Sequence, residues 1–129
     1  MTRIFSFDQE ARVQVLKGAA QALGERPEVL AVVLFGSLAR GEATAMSDAD
    51  LFLLLSQSPF PFPERLVRYR PEGVRGVEVF PYTWEEALRG AIEGHGPVLA
   101  ALREGRPLWE REGAWRRFGE MAKVLSPFA

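Results

Sequence analysis

Two uninterrupted apolar runs constrain the fold of this chain more than any other feature. The first covers residues 29–35 (Val-Leu-Ala-Val-Val-Leu-Phe), and the second follows Asp50 as Leu-Phe-Leu-Leu-Leu. Short apolar runs of this kind, bounded by turn residues, are typical of strands that are buried on both faces. The sequence therefore predicts two central β-strands, at residues 29–35 and 48–55, with polar side chains confined to the start of the second.

The segments around these strands predict an α/β chain. Helices are expected at residues 8–23, 38–42 or 43 (with Ser37 as N-cap), 64–70, 84–93 and 97–105, with a last helix after Gly113. Further strands are expected at residues 74–82 and 107–109. Together these elements predict one domain over residues 1–129, with a mixed, mostly antiparallel sheet of three to five strands and helices packed against it.

Composition narrows the classes of function. The 129 residues are 47% hydrophobic and 26% charged, which is the profile of a globular domain with its own core. The net charge of −1 gives no general attraction to nucleic acid or anionic lipid, so neither is expected as a partner. With no cysteine, thiolate chemistry is excluded. Since no signal-like or membrane-length apolar stretch is visible, a cytoplasmic location is expected.

Two aspartates, Asp48 and Asp50, stand at the start of the second predicted strand. Alternate side chains of a strand point to the same face, so the two carboxylates are expected side by side. Carboxylates in that arrangement repel each other, and their crowding is costly unless a cation neutralises them. A hard divalent metal that takes oxygen ligands, such as Mg²⁺, is the natural occupant.

A Gly36-Ser37 pair follows the first predicted strand, where the N-terminus of a short helix is expected. Backbone N–H groups at such a turn bind phosphate. Taken singly, the pair could be an ordinary capped turn, and the Asp-x-Asp pattern could be a solvated loop edge. Together, in this order and each beside an apolar strand, they favour a nucleotide held through phosphate and metal.

Three other features keep both a functional and a structural interpretation. His95, the single histidine, lies between two glycines and is interpreted as a loop residue rather than a base or a ligand. Phe60 and Phe62 either form a partner surface or fold onto the core. A local basic patch could touch RNA or an acidic partner, although a solvated face suits a near-neutral chain better; it comprises Arg65, Arg68, Arg70 and Arg75.

The motif as a whole resembles the signature of the minimal nucleotidyltransferases of the DNA polymerase β superfamily. It consists of Gly36-Ser37, ten intervening residues and Asp48-x-Asp50, supported by Phe35, Ala39-Arg40-Gly41, Ser47 and Leu51. Glu78 occupies the place of the family's third carboxylate, where the family more usually has Asp. The resemblance covers residues 29–86 well and residues 105–110 loosely, and it implies the nucleotidyltransferase fold.

This resemblance implies Mg²⁺-dependent nucleotidyl transfer. Asp48 and Asp50 would hold one or two Mg²⁺ ions that bridge the triphosphate, and Glu78 would help ligate the metal nearest the acceptor hydroxyl and assist its deprotonation. The Gly36-Ser37 turn, with Ser47, would bind the nucleotide. Arg40 would steady a phosphate, or it is simply a solvated arginine.

The expected reaction is transfer of a nucleoside monophosphate, in the first instance AMP from ATP, to a hydroxyl acceptor. Related small proteins pair with a helical HEPN-type protein in toxin–antitoxin systems and transfer AMP to a tyrosine, so the resemblance implies such a partner. The alternative is a catalytically inactive nucleotide-binding module that binds a partner, because Glu78 is one methylene longer than Asp. Transfer to a small molecule such as an aminoglycoside would usually need more chain. A homo-oligomer is left open.

Overall fold

The computed structural model of the chain describes residues 8–43 and 48–129. The helices are α1 (Gln9–Gly24), α2 (Phe62–Arg68), α3 (Trp84–Glu93), α4 (Gly96–Glu104) and α5 (Ala114–Leu125). The strands are β1 (Val29–Phe35), β2 (Ala49–Leu55), β3 (Val77–Thr83) and β4 (Arg106–Glu110). No helix within these described residues is long and apolar enough to cross a membrane.

The four strands form one mixed sheet in the order β3-β2-β1-β4. Strand β1 pairs antiparallel with both β2 and β4, whereas β2 and β3 run parallel. The two apolar runs of the sequence are therefore the two central strands. This arrangement confirms the predicted α/β architecture with a mixed, mostly antiparallel sheet.

The sheet is covered by helices on both faces. Side chains such as Leu34, Leu51 and Leu53 pack with α1 and with Tyr69, the C-cap residue of α2. On the opposite face, Phe52 and Leu54 pack with α3, α4 and α5. Because β1 and β2 are buried on both sides, they need no polar alternation, which is why they appear as continuous apolar runs.

Local sequence signals account for several helix starts. The Asp8 carboxylate caps α1 by accepting from the Ala11 N–H at 3.0 Å. At α3, the Thr83 hydroxyl accepts from the Glu86 N–H at 3.2 Å, and the Glu86 carboxylate accepts from the Thr83 N–H at 2.9 Å. This reciprocal pair is a capping box.

The predicted helix at residues 38–42 or 43 is wrong. The chain forms a turn there, bounded by Gly36 with φ +82° and Gly41 with φ +75°. The Arg40 N–H donates to the Gly36 carbonyl, but the Glu42 N–H reaches back to Ser37, so the i to i−4 pattern does not propagate. Two left-handed glycines this close leave no room for a regular helix.

Two elements also begin at least two residues away from the predicted position. Strand β3 begins at Val77 rather than at residue 74, because Gly76 has φ +66°, which is incompatible with an extended strand. Helix α2 begins at Phe62 rather than at residue 64, since Pro63 fits the first turn of a helix, where its missing N–H costs nothing.

Candidate active site

The turn after β1 lies directly against the Asp50 carboxylate. Phe35, the last residue of β1, pairs with Asp50 of β2, and the chain then turns at Gly36. A Cβ atom on Gly36 would lie 2.4 Å from Asp50 Oδ2, well inside van der Waals contact. Glycine is favoured at this position for two reasons. Its φ is positive, and the Asp50 carboxylate occupies the space that a side chain would need.

The three predicted carboxylates are neighbours at the same edge of the sheet. Asp50 and Glu78 are register partners in the parallel β2–β3 pair, so their side chains point to the same face. Asp48 immediately precedes β2, next to Gly76, whose carbonyl accepts from the Ala49 N–H at 2.7 Å. Asp48 and Glu78 are exposed, whereas Asp50 is half-buried.

The environment of Asp50 disfavours its charge. Burial, followed by the negative charges of Glu78 and Asp48, raises the pKa of Asp50 above its ordinary value, and the positive charge of Arg40 opposes this. A carboxylate in such surroundings is relieved by a cation, and an all-oxygen donor set suits Mg²⁺. The chemistry of these residues therefore fits the implied metal.

The placement of these carboxylates suits a metal ion less well than their oxygen atoms do. Within residues 8–43 and 48–129, no group of three His, Cys, Asp or Glu side chains is gathered closely enough to hold one ion. Asp48, Asp50 and Glu78 thus line one edge without converging on one point.

The turn offers donors to an anion. Among the described residues, none accepts a hydrogen bond from the backbone N–H groups of Ser37, Leu38 or Ala39. Consecutive backbone N–H groups in a turn form a concave surface that binds phosphate oxygens. Because the predicted helix does not form, no helix dipole acts at this site. The backbone N–H groups of the turn can still donate to an anion.

Arg40 is exposed to solvent, and its guanidinium is also ion-paired within the chain. Its guanidinium donates from Nε to Glu42 at 2.7 Å and from Nη1 to Glu104 at 2.5 Å. These two carboxylates raise the pKa of Arg40 further above its ordinary value, Glu42 being the larger influence. The cation of the turn is thus already paired within the chain.

Sequence reasoning missed two residues beside the site. Glu104 reaches Arg40 from the end of α4, and Arg12 of α1 donates from Nη2 to the Gly76 carbonyl at 2.8 Å. A Cβ on Gly76 would lie 3.0 Å from that Arg12 nitrogen and 3.4 Å from Asp48 Oδ1, which places both groups around the same glycine. Neither residue carries a local motif that would have revealed it. The predicted site residue Ser47 lies outside the described residues.

The other residues singled out from the sequence, His95, Phe60 and Phe62, contact side chains of the same chain. His95 lies in the joint between α3 and α4, as predicted, and its Nε2 is 2.9 Å from the Tyr82 hydroxyl. Phe62 packs on the Tyr82 ring with centroids 5.2 Å apart, and Phe60 lies under the Arg68 guanidinium at 3.7 Å. Both phenylalanines therefore have partners within the chain.

The predicted basic patch does not form as a whole, because one of its members is in the interior. Arg65 is 5% exposed and donates to the Glu86 carboxylate at 2.6 and 3.1 Å. It also donates to the carbonyls of Phe60 and Pro81. This arginine ties α2 to β3 and α3 and is not available to RNA or to an acidic partner.

Comparisons with known proteins agree with this arrangement. The family model of the nucleotidyltransferase domain matches residues 16–97, which is more than half of the chain. No curated protein matches. The chain belongs to the nucleotidyltransferase domain family, as the resemblance to minimal nucleotidyltransferases predicted, and the chain is accordingly a nucleotidyltransferase.

Several solved structures share the fold. A candidate nucleotidyltransferase from Sulfolobus solfataricus superposes with a TM-score of 0.58 at 19% identity, over 81% of this chain and 85% of that chain. A toxin–antitoxin structure with AMP-PNP gives a TM-score of 0.54 at 17% identity, over 92% and 86%. A chain in the structure of the tri-AMPylated Shewanella oneidensis HEPN toxin in complex with MNT antitoxin gives a TM-score of 0.52 at 14% identity, over 91% of this chain and 85% of that chain.

Proposed function

We propose that the chain is a single nucleotidyltransferase domain that transfers AMP from Mg²⁺-bound ATP to a hydroxyl group of a partner protein. The observation that carries the proposal is the packing of the Gly36 turn against Asp50. A phosphate-binding turn and a crowded carboxylate edge adjoin each other there, so one nucleotide would contact both.

In this proposal the turn and the carboxylate edge have separate tasks. The backbone N–H groups of Ser37, Leu38 and Ala39 bind the β- and γ-phosphate oxygens and orient the α-phosphorus toward the edge. Ser47 and Arg40 belong to the same nucleotide-binding set. Asp48 and Asp50, with Glu78 beside them, would hold Mg²⁺, which when bound neutralises charge on the phosphate oxygens.

Glu78 is the proposed proton acceptor. The acceptor hydroxyl loses its proton to the Glu78 carboxylate, its oxygen forms a bond to the α-phosphorus, and the bond between that phosphorus and the bridging oxygen breaks. Pyrophosphate leaves, and AMP remains on the acceptor. The exposed position of Glu78 on the edge strand β3 leaves it open to an acceptor approaching from outside the chain.

The proposed acceptor is a tyrosine of a helical HEPN-type partner. In support, the solved structures that contain a chain of similar fold include a tri-AMPylated HEPN toxin in complex with MNT antitoxin and a toxin–antitoxin structure with AMP-PNP. The likeness of fold extends over nine-tenths of this chain in both cases. AMP as the transferred group and a HEPN-type protein as the acceptor follow from that comparison as proposals.

A second candidate is a nucleotide-binding module without transfer activity. One observation favours it: the three carboxylates lie along one edge without converging on a common point in the described part of the chain. In that case, the protein would bind ATP and its partner but leave the partner unmodified.

One labelling experiment separates the two functions. The protein is incubated with α-³²P-ATP, Mg²⁺ and the HEPN-type product of a neighbouring gene, and wild type is compared with Asp50→Ala and with Glu93→Ala. Glu93 is an exposed carboxylate at the end of α3 and serves as the matched control. We expect the partner to be labelled by wild type and by Glu93→Ala but not by Asp50→Ala. Binding of ATP without labelling would favour the second candidate, and absence of ATP binding would refute both.

A further inference from the structure

Arg40 is shared between two carboxylates from distant parts of the chain. Glu42 belongs to the same turn, whereas Glu104 is the last residue of α4 and lies 64 positions from Arg40 in the sequence. The trio carries a net charge of −1, so the cation that the turn could offer to a phosphate is more than neutralised by its own chain. An ordinary phosphate-binding arginine would be left available.

The fold holds the Glu104 backbone next to the turn. The following residue, Gly105, has no space for a side chain, because its Cβ would lie 2.1 Å from the Ala101 carbonyl oxygen and 2.6 Å from Val33 Cγ1. Strand β4 then starts with Arg106 opposite Leu34, two residues before Gly36. The end of α4 is therefore fixed at the edge of the sheet where β1 enters the turn.

The side chains of the pair are open enough to exchange partners. Arg40 has a side-chain exposure of 44%, and Glu104 has one of 26%. The contact is thus an ion pair at the surface of the site rather than a buried structural bridge, and such pairs are weak enough to be displaced. A triphosphate seated on the neighbouring N–H groups would present phosphate oxygens to the same guanidinium.

We propose that Glu104 competes with the nucleotide phosphates for Arg40 and thereby sets the affinity of the site for nucleoside triphosphates. This inference rests on the proposed function, which places the triphosphate at the Gly36–Gly41 turn. On nucleotide binding, Arg40 exchanges the Glu104 carboxylate for a phosphate oxygen. Glu104 acts through Arg40, so it is a positioning residue and not a catalytic one.

The test measures a gain in nucleotide affinity, which a variant with a damaged structure would not show. Isothermal titration calorimetry with Mg²⁺ and a non-hydrolysable ATP analogue compares wild type, Glu104→Gln, Arg40→Gln and the double variant. Glu93→Gln is the matched control, because Glu93 is the last residue of α3 as Glu104 is of α4, and its loss removes the same charge.

We expect Glu104→Gln to lower the Kd about two- to fivefold, the range of an exposed ion pair. Arg40→Gln should raise the Kd, and adding Glu104→Gln to Arg40→Gln should give no gain. In turnover assays, Glu104→Gln should lower the KM for ATP and leave kcat unchanged.

Three outcomes would overturn the inference about Glu104, and a fourth would contradict the proposed function on which it rests. An unchanged or raised Kd in Glu104→Gln would exclude competition. A gain that persists in the Arg40→Gln background, or one that Glu93→Gln reproduces, would make Glu104 a general charge rather than a competitor for Arg40. If wild type binds no nucleotide, the proposed function itself fails.

Discussion

Gly36 is the residue at which backbone conformation and chemistry constrain each other most tightly. Its φ is +82°, and a Cβ atom added to it would lie 2.4 Å from Asp50 Oδ2, so any other residue would be strained and would displace the Asp50 carboxylate. We predict that Gly36→Ala lowers the free energy of unfolding by about 1–3 kcal/mol, the cost of a non-glycine residue in the left-handed region. It should also abolish nucleotide binding, because the added methyl group displaces the Asp50 carboxylate.

Urea unfolding and ATP titration of the same samples measure both effects. Gly18→Ala is the matched control, since no heavy atom lies within 4 Å of its Cβ position and it sits within α1. That substitution should raise the free energy of unfolding by about 0.5–1 kcal/mol and leave binding unchanged. Equal behaviour of the two variants would contradict the prediction.

The charge of Asp50 should lower the stability of the fold while it serves the proposed function. Burial and its two carboxylate neighbours raise its pKa, so the charged form destabilises the folded state at neutral pH. We predict that Asp50→Asn raises the Tm of the protein without nucleotide at about pH 7 to 8 while reducing transfer at least roughly a hundredfold. The difference in Tm should shrink as the pH falls and Asp50 of the wild type becomes protonated.

Thermal unfolding followed at several pH values measures this difference. Glu93→Gln removes one exposed carboxylate and should leave the Tm nearly unchanged over the same range. A lower Tm for Asp50→Asn at neutral pH would show that the carboxylate stabilises the fold instead.

That the carboxylates are neighbours could be expected from the sequence, whereas the surroundings of Arg40 could not, and the reason is distance along the chain. Asp48 and Asp50 are two residues apart at the start of β2, so their closeness follows from the local sequence alone. Glu78 was placed by resemblance, and its register with Asp50 agrees with that placement. The contact between Arg40 and Glu104 depends on the β1–β4 pairing, which no local pattern specifies.

At the scale of elements, the joint between α2, β3 and α3 depends on one interior cation. Arg65 is 5% exposed and bonds to the Glu86 carboxylate and to two carbonyls. We predict that Arg65→Ala lowers the free energy of unfolding by about 2–3 kcal/mol, because it removes the charge-assisted bonds to the partly exposed Glu86 carboxylate and the donors to the Phe60 and Pro81 carbonyls. Chemical denaturation provides the measurement.

Arg89→Ala is the control for this prediction. Arg89 pairs with Glu85 at 3.6 Å on the exposed face of α3, so its loss should cost less than about 0.5 kcal/mol. The pKa of Glu86 is lowered, first of all by its hydrogen bond from Arg65, so the stability from this pair is present at neutral pH and is lost as the pH falls through the carboxylate range. The gap between wild type and Arg65→Ala should therefore narrow in acid. A constant gap would assign the loss to packing alone.

Helices and strands were predicted correctly where the nearby residues alone favour one type of structure. The apolar run of β1 and the segments predicted as helices at residues 8–23 and 84–93 gave elements close to those in the structure. The helix predicted after Ser37 failed because two glycines adopt positive φ within six residues, and the sequence does not reveal which conformation a glycine adopts. Arg65 was misplaced on the surface since its burial depends on packing against β3.

At the scale of the whole molecule, nucleotide binding should be visible as stabilisation of the fold. A ligand that binds the folded state alone adds about 2.7 kcal/mol at a hundred times its Kd. For a domain of this size we predict a rise in Tm of roughly 10 °C with ATP and Mg²⁺ together. The rise should disappear in Asp50→Ala and on addition of excess EDTA.

Differential scanning fluorimetry measures this rise, and Glu93→Ala should reproduce the wild-type shift. An equal shift with ATP in the presence of EDTA would mean that the carboxylate edge does not bind the nucleotide through a metal. No shift under any condition would contradict nucleotide binding by the isolated chain.

The parallel pairing of β2 with β3 has a consequence for the order in which the molecule folds. Strands β1 and β2 form an antiparallel pair across residues 36–48, a shorter connection than the one between β2 and β3, so we expect Asp48 and Asp50 to come next to the Gly36 turn first. Glu78 joins them only after the longer connection through α2 has closed and β3 has docked. A partly folded chain would therefore possess two carboxylates and the turn that we propose to bind phosphate while still lacking the proposed base, and the proposed transfer would begin only when the edge strand is in place.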